Sequence, residues 1–301
     1  MPTDTPVTRR SGLRTAVATA TAVTVPLLAT ALATAPAHAA ERPGRRLEVM
    51  TFNLRYASPT PPNAWPERRP VTRELLHRAR PHVIGTQEGL YQQVQDIAED
   101  LGPHYAWIGT GRAGGSRDEF MTVYYDRRRL TPVAYEHFWL SDTPEVIGSN
   151  TWGGGSIRMV TWVRFHDRRT EREFYFLNTH LDNHSQYART RAAHLISDRL
   201  SALDRTVPKV VTGDFNVAAH KNSVYETLLE AGLVDTWDAA DERGKQYATF
   251  HGYKPLVPDG DRIDWILATP AARVHAAAVN VFSLDGQFPS DHLPVQASLT
   301  L

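Results

Sequence analysis

Val210-Val211-Thr212-Gly213-Asp214-Phe215-Asn216 decides how the rest of the chain is read. Two β-branched residues run up to a glycine, and an Asp and an Asn follow with one residue between. The pattern predicts a buried strand ending in a sharp turn. On extended backbone, residues two apart face the same side, so Asp214 and Asn216 can point together into one pocket at the strand's C-terminal end. A carboxylate beside a carboxamide suits a hard divalent cation and the phosphate oxygens it binds. Gly-Asp-x-Asn is also ordinary turn chemistry, so the pair needs support from elsewhere in the chain.

Upstream, Leu47 to Asn53 alternates apolar and polar and predicts a first strand. Residues 59–66 are Pro-rich and read as a loop, whose one bulky apolar residue is Trp65. Helices are expected over Glu67 to Ala79, Tyr91 to Leu101, Gln186 to Leu203 and Ser223 to Ala231, from apolar residues at helical spacing. Strands are expected at 81–85, 120–125, 133–140, 157–165, 174–180, 263–267, 274–282 and 294–299. Helices and strands interleave, yet several strands are consecutive. That order predicts a mixed α/β (α+β) protein, with two sheets packed face to face and helices outside. Strands covered on both faces need not alternate.

Polar clusters sit at or just beyond the expected C-terminal ends of strands: Asn53; Glu88; Asn178, His180 and Asp182; Asp264; and Asp291-His292. Each alone fits a solvated carboxylate, a hydrogen-bonded core His or a turn. Their shared placement raises the functional reading, because such ends are where open sheets place their sites.

The ordered set Thr51-Phe52-Asn53, Gln87-Glu88, Asn178-Thr179-His180-Leu181-Asp182, Gly213-Asp214-Phe215-Asn216, Arg262-Ile263-Asp264 and Ser290-Asp291-His292 resembles the endonuclease/exonuclease/phosphatase superfamily, of DNase I-like fold. The resemblance implies a four-layered sandwich of two mixed sheets with helices on both outer faces. It also implies a hydrolase of phosphoric esters using Mg2+, with Mn2+ as the substitute. It assigns Glu88, with Asn53 and Asp291, to the metal. It assigns Asp214 to the attacking water, Asn216 to a phosphate oxygen and His292 to acid–base or hydrogen-bond donation. Asp264 then fixes the tautomer of His292, and His180 lies near the leaving group. The chemistry agrees: phosphoester hydrolysis must neutralise charge on phosphoryl oxygens and supply an in-line water. A rival reading of His180-Leu181-Asp182-Asn183-His184 takes alternate residues as zinc ligands.

Several further stretches resemble bacterial, often exported, members: Gly109-Thr110-Gly111-Arg112, Phe138 to Pro144, Trp152 followed by Arg158, and Thr249-Phe250-His251-Gly252. By that resemblance Arg112, Arg158, Asn178, Asp182 and His251 line the substrate side. Arg158 offers a planar fork to phosphate. Glu119 flanks the Gly-rich loop and can shape the pocket with Arg112. The Trp residues could stack on a sugar or a base, although most Trp is core.

Residues 1–39 are read as an export signal of the twin-arginine type. Arg9-Arg10 precede an Ala/Thr/Val/Leu stretch and a small-x-small site at Ala37-His38-Ala39. Gly12 stands where that motif carries a large apolar residue, so the general secretory route is the alternative. Residues 40–301 are then a secreted catalytic domain without a transmembrane segment, and a monomer is expected. The chain has no Cys, which excludes disulfides, a thiolate nucleophile and Cys-ligated zinc.

Lys+Arg and Asp+Glu balance at 33 each, so the formal charge is zero. Residues 1–39 hold three Arg against one Asp, which leaves about minus two on the remainder. A protein gripping long nucleic acid usually carries a basic surplus. The balance favours a small phosphorylated substrate or phospholipid head group. A secreted endo- or exonuclease acting on DNA or RNA is the alternative, and a non-catalytic binding protein a third.

Overall fold

The computed structural model describes residues 45–301, so the expected export signal lies outside the described residues. Thirteen strands form two mixed sheets. The first contains β1 (Leu47–Asn53), β2 (Val83–Gly89), β3 (Tyr105–Ile108), β4 (Phe120–Asp126), β10 (Glu242–Arg243), β12 (Arg273–Val279) and β13 (Val295–Thr300). Its order is β10-β12-β13-β1-β2-β4-β3. The second contains β5 (Leu130–Trp139), β6 (Met159–Asp167), β7 (Arg172–His180), β8 (Lys209–Asp214), β9 (Val234–Asp235) and β11 (Asp264–Ala268). Its order is β5-β6-β7-β8-β11-β9. The β1–β2 and β7–β8 pairs at the two centres are parallel.

The apolar runs divide between two faces. Val49, Val83, Val123, Phe165, Phe174, Phe176, Val210 and Ile266 fill the space between the sheets. Their neighbours in sequence face outward. Met50, Phe52, Ile84 and Tyr124 pack with Leu75, Leu76, Val94 and Ile97 of α1 (Trp65–Ala79) and α2 (Tyr91–Leu101). Leu177, Val211 and Trp265 pack with Ala192, Ile196, Leu200 and Leu228 of α3 (Gln186–Ala202) and α4 (Ser223–Glu230). A short α5 (Thr236–Ala239) brings Trp237 against Val279 and Leu293. The result is the expected sandwich of four layers, with strands buried on both faces.

Three expectations change. The helix expected from Glu67 begins at Trp65, because Pro66 fits a helix's first turn. Trp65 is therefore buried, with Nε1 donating to Asp96 Oδ2 at 2.7 Å, and is no loop tip. The short β3, β9 and β10 and the one-turn α5 were not legible, since two to four residues carry no measurable period.

Candidate active site

Asn53, Glu88, His180 and Asp214 close β1, β2, β7 and β8, as expected. Asp264 and Asp291-His292 do not end strands. Asp264 opens β11, and His292 precedes β13. Both strands run antiparallel to their neighbours, so their starts meet the ends of β8 and β1 at the same rim. Asp264 pairs directly across from Asp214.

Backbone conformation aims two of these side chains. Glu88 (φ 64°) and Asn216 (φ 53°) are left-handed without being glycine. Such residues cost roughly 1–3 kcal/mol and persist where surroundings over-determine them. At Glu88 the β2–β4 register shifts between Thr86 and Gly89, which turns the carboxylate out of the sheet. At Asn216 the amide N–H donates to Asp214 Oδ1 at 2.9 Å, a local Asx turn. The turn reading and the site reading of this stretch thus hold together.

Below the rim, a polar layer joins the sheets. Gln87 Nε2 donates to Asn178 Oδ1 at 2.7 Å, and Asn178 Nδ2 donates to Thr86 O and Thr122 O. Arg68 of α1 is fully buried, and its guanidinium donates to the carbonyls of Leu54, Arg55, Tyr56, Asn63 and Pro289. It fixes the loop after β1 against the loop before His292. In sequence it looks like one more surface Arg of a charged helix.

The carboxylates and imidazoles converge. Asn53 Nδ2 donates to Glu88 Oε1 and Asp214 Oδ2, both at 2.9 Å. His292 Nδ1 lies 3.0 Å from Asp264 Oδ2, and its Nε2 lies 3.8 Å from Asp214 Oδ2. His180 Nε2 lies 3.4 Å from Asp214 Oδ2 and 3.0 Å from Asn216 Nδ2. Burial opposes charge on His292, but the carboxylates of Asp264 and Asp214 outweigh it and push its pKa up to about 10. Burial, then the charge of Asp264, raises Asp214 to about 7. His180 is held neutral by burial, Arg158 and His292. Two buried imidazoles thus carry opposite protonation states at neutral pH.

A cavity of about 420 Å³ opens over this cluster. Glu88, His180, Asp214, Asn216, Asp291 and His292 line it, together with Arg112, Glu119 and Arg158. The loop from Gly111 folds back as a hairpin, with Arg112 N donating to Glu119 O and Gly111 bridging to Phe120. Trp139 Nε1 holds Arg112 O at 2.6 Å. Arg112 NH1 lies 2.8 Å from Glu119 Oε2. Burial raises Glu119 to about 7 against the pull of Arg112. Arg158 is 7% exposed, and its Nε and NH1 meet no hydrogen-bond partner.

Three expected substrate-side residues do not line the cavity. Asn178 lies between the sheets. Asp182 turns inward and accepts from the backbone of Ser156, His184 and Ser185, fixing the loop that carries Arg158's partner Asn183. His251 is buried against Ser290 O, and its neighbour Phe250 takes the cavity wall, half exposed. Adjacent residues on extended backbone face opposite ways, so Phe250 and His251 could not both enter. Tyr56, half exposed beside Glu88, lines the mouth and carried no signal in the sequence. Trp139 and Trp152 are buried and offer no stacking face.

For a cation, the ligand atoms of Glu88, Asp214 and His292 all lie within 4.8 Å of one another. Asp291 adds a carboxylate to the same wall. His292, protonated at neutral pH, has no lone pair to give, which leaves the carboxylates of Glu88, Asp214 and Asp291; such an oxygen set fits Mg2+, which takes one or two carboxylates and keeps room for substrate oxygens. Asn53 spends its amide group on holding Glu88 and Asp214. The alternation His180, Asp182, His184 does not converge: Asp182 faces inward and His184 is exposed.

The model of the Endonuclease/Exonuclease/phosphatase family matches residues 50–292. No curated protein matches the chain. Among solved structures, a mannosyl-6-phosphatase of Bacteroides thetaiotaomicron VPI-5482 is similar at 30% identity and a TM-score of 0.79, covering 85% of this chain and 100% of that one. An endonuclease/exonuclease/phosphatase from Bacteroides vulgatus is similar at 30% identity and a TM-score of 0.80, over 85% and 99% of the two chains. A TDP2 from D. rerio, complexed with a single-strand DNA product, shares the fold at 16% identity and a TM-score of 0.66, over 85% and 99%.

Proposed function

We propose that this chain, which belongs to the endonuclease/exonuclease/phosphatase family, is a metal-dependent phosphoesterase that hydrolyses a small phosphorylated substrate. The observation that carries the reading is that one cavity is lined by Glu88, Asp214, Asn216, His180 and His292 together with Arg112 and Arg158. Glu88 and Asp291 would hold Mg2+, with Mn2+ as a substitute, helped by Asn53 through its grip on Glu88. The bound ion would neutralise charge on phosphoryl oxygens and orient them.

The chain's own groups supply the rest. Asp214, with a pKa near neutrality, orients the attacking water and takes its proton. His292 enters charged, fixed by Asp264, and donates a hydrogen bond to a phosphoryl oxygen. Asn216 and neutral His180 hold the opposite side of the reacting group. Arg158, short of partners, offers its fork to phosphate oxygens, and Arg112 braced by Glu119 stands beside it. The similarity to a mannosyl-6-phosphatase supports a sugar phosphate as substrate. In the same reading residues 1–39 are an export signal of the twin-arginine type, and 40–301 act as a secreted monomer.

The test is an assay of residues 40–301 with and without Mg2+. The substrates are hexose 6-phosphates, a chromogenic phosphomonoester, a chromogenic diester and supercoiled DNA. Metal-dependent release of phosphate from the small esters, lost in His292→Ala, is expected. Rapid nicking of DNA with the small esters untouched would establish the nuclease instead.

A further inference from the structure

The end of the sandwich away from the active site carries a different chemistry. Glu48 is the second residue of β1 and Asn53 closes it, so this end lies about 17 Å below the rim at roughly 3.3 Å per residue. Two cavities of about 560 and 510 Å³ meet there and share His104 and Arg128. Arg80, His82 and Arg169 line the first, and Arg127 and Arg168 the second. The β4–β5 turn, Arg127-Arg128-Arg129, lies against the β6–β7 turn, Arg168-Arg169. Leu130 pairs with Asp167, and Arg168 N donates to Arg129 O. Buried Arg129 binds Asp167 at 2.7 Å and reaches the carbonyls of Arg45 and Arg46, so two more arginines start at this end.

The acids here are already engaged. Asp126 binds Arg128, Asp167 binds Arg129, Glu48 accepts from Ser298, and Glu171 stands 3.3 Å from His166. Arg80, Arg127 and Arg168 are exposed and meet no carboxylate at ion-pair distance among the described residues. Arg80, Arg127, Arg128, Arg129, Arg168 and Arg169 stand against Glu48, Asp126, Asp167 and Glu171, a local basic surplus in a chain whose formal charge is zero. A concave surface with a local surplus of one sign focuses its field and binds the opposite charge.

We propose that this basic groove is a second binding site, for a linear chain of phosphate groups, separate from the hydrolytic cavity. Two joined concavities fit a strand rather than a flat surface, and guanidinium forks suit phosphate. A polyphosphate or a single-stranded polyphosphodiester supplies the same chemistry.

Binding of the mature chain to inorganic polyphosphate and to a single-stranded oligonucleotide, by fluorescence anisotropy across salt concentrations, tests the proposal. Neutralising about three phosphates predicts a slope near −2 in log K against log salt. Arg127→Glu combined with Arg168→Glu should weaken binding at least tenfold while phosphoester turnover and the circular dichroism spectrum stay those of the parent. Preference for one probe identifies the backbone the groove takes. Equal binding by parent and double variant, or binding only to anionic phospholipid vesicles, overturns it. Inactivity of the parent toward every ester would bear on the proposed reaction and not on this groove.

Discussion

His292 Nδ1 stands 3.0 Å from Asp264 Oδ2, joining the loop before β13 of one sheet to the first residue of β11 in the other. That contact turns Nε2 toward Asp214 and keeps the ring charged. Because the folded pKa is raised to about 10, the protonated ring persists through neutral pH and is lost only on strong alkalinisation. Turnover should therefore stay level on the alkaline side until about pH 9. Asp264→Asn removes the larger favourable charge, so the alkaline fall should move to lower pH, with kcat down about 10²–10⁴-fold. A pH profile of kcat for both proteins checks this, and an unmoved alkaline limb would contradict it.

Glu88→Gln keeps the shape of the side chain and removes its charge. Asn53 can still donate to the retained oxygen, so the fold should hold. Calorimetric titration with Mg2+ should show affinity lowered by at least tenfold. Unchanged metal binding would place the ion elsewhere.

At Gly85 the backbone of β2 lies hard against β7 and β8 beneath the site. An added Cβ would lie 2.3 Å from Thr212 Oγ1 and 2.6 Å from Asn178 Oδ1. Gly85→Ala must therefore push Asn178 from its bonds to Gln87 and Thr86, or part the sheets. Overpacking of this kind costs about 1–3 kcal/mol. Urea unfolding should show the loss as a lower midpoint, with activity reduced as well.

His82 gives the fold an acid sensitivity. Burial, then the charge of Arg129, lowers its pKa to about 4, and its Nδ1 accepts from Glu48 N, which requires an unprotonated ring. The unfolded chain takes up this proton from about pH 6.5, the folded chain only near 4. The stability is complete above 6.5 and is lost as pH falls through that window. His82→Asn can keep the acceptor without the titration. Its unfolding free energy should depend less on pH between 6.5 and 4, which denaturant melts at several pH values would show.

Much of the site was legible because short polar motifs terminate apolar strands. Gly213-Asp214-Phe215-Asn216 announces both the strand and the turn, and the structure keeps both. Asp264 and His292 stand at the starts of their strands and reach the same rim only because β11 and β13 run antiparallel to β8 and β1, a pairing the sequence does not reveal. Asn178 was read as substrate-facing because a strand of alternating contacts does not say which face is cavity and which is partner sheet. His251 failed by one residue, the smallest slip that reverses a strand's faces. Arg68 could not be found: a guanidinium satisfied by five carbonyls needs the loops around it, and nothing local in α1 marks it.

The placement of β13 beside β1 has a consequence for when the protein can work. Asn53 and His292 stand 239 positions apart, and Arg68 ties the loop after the first strand to Pro289 near the chain's end. Until β13 is synthesised and paired with β1, the first sheet has a gap between β12 and β1, and a chain not yet extended to Ser290 lacks Asp291 and His292 from the cavity. A nascent chain, or one clipped before Ser290, therefore holds the two sheets' other site residues without an assembled site.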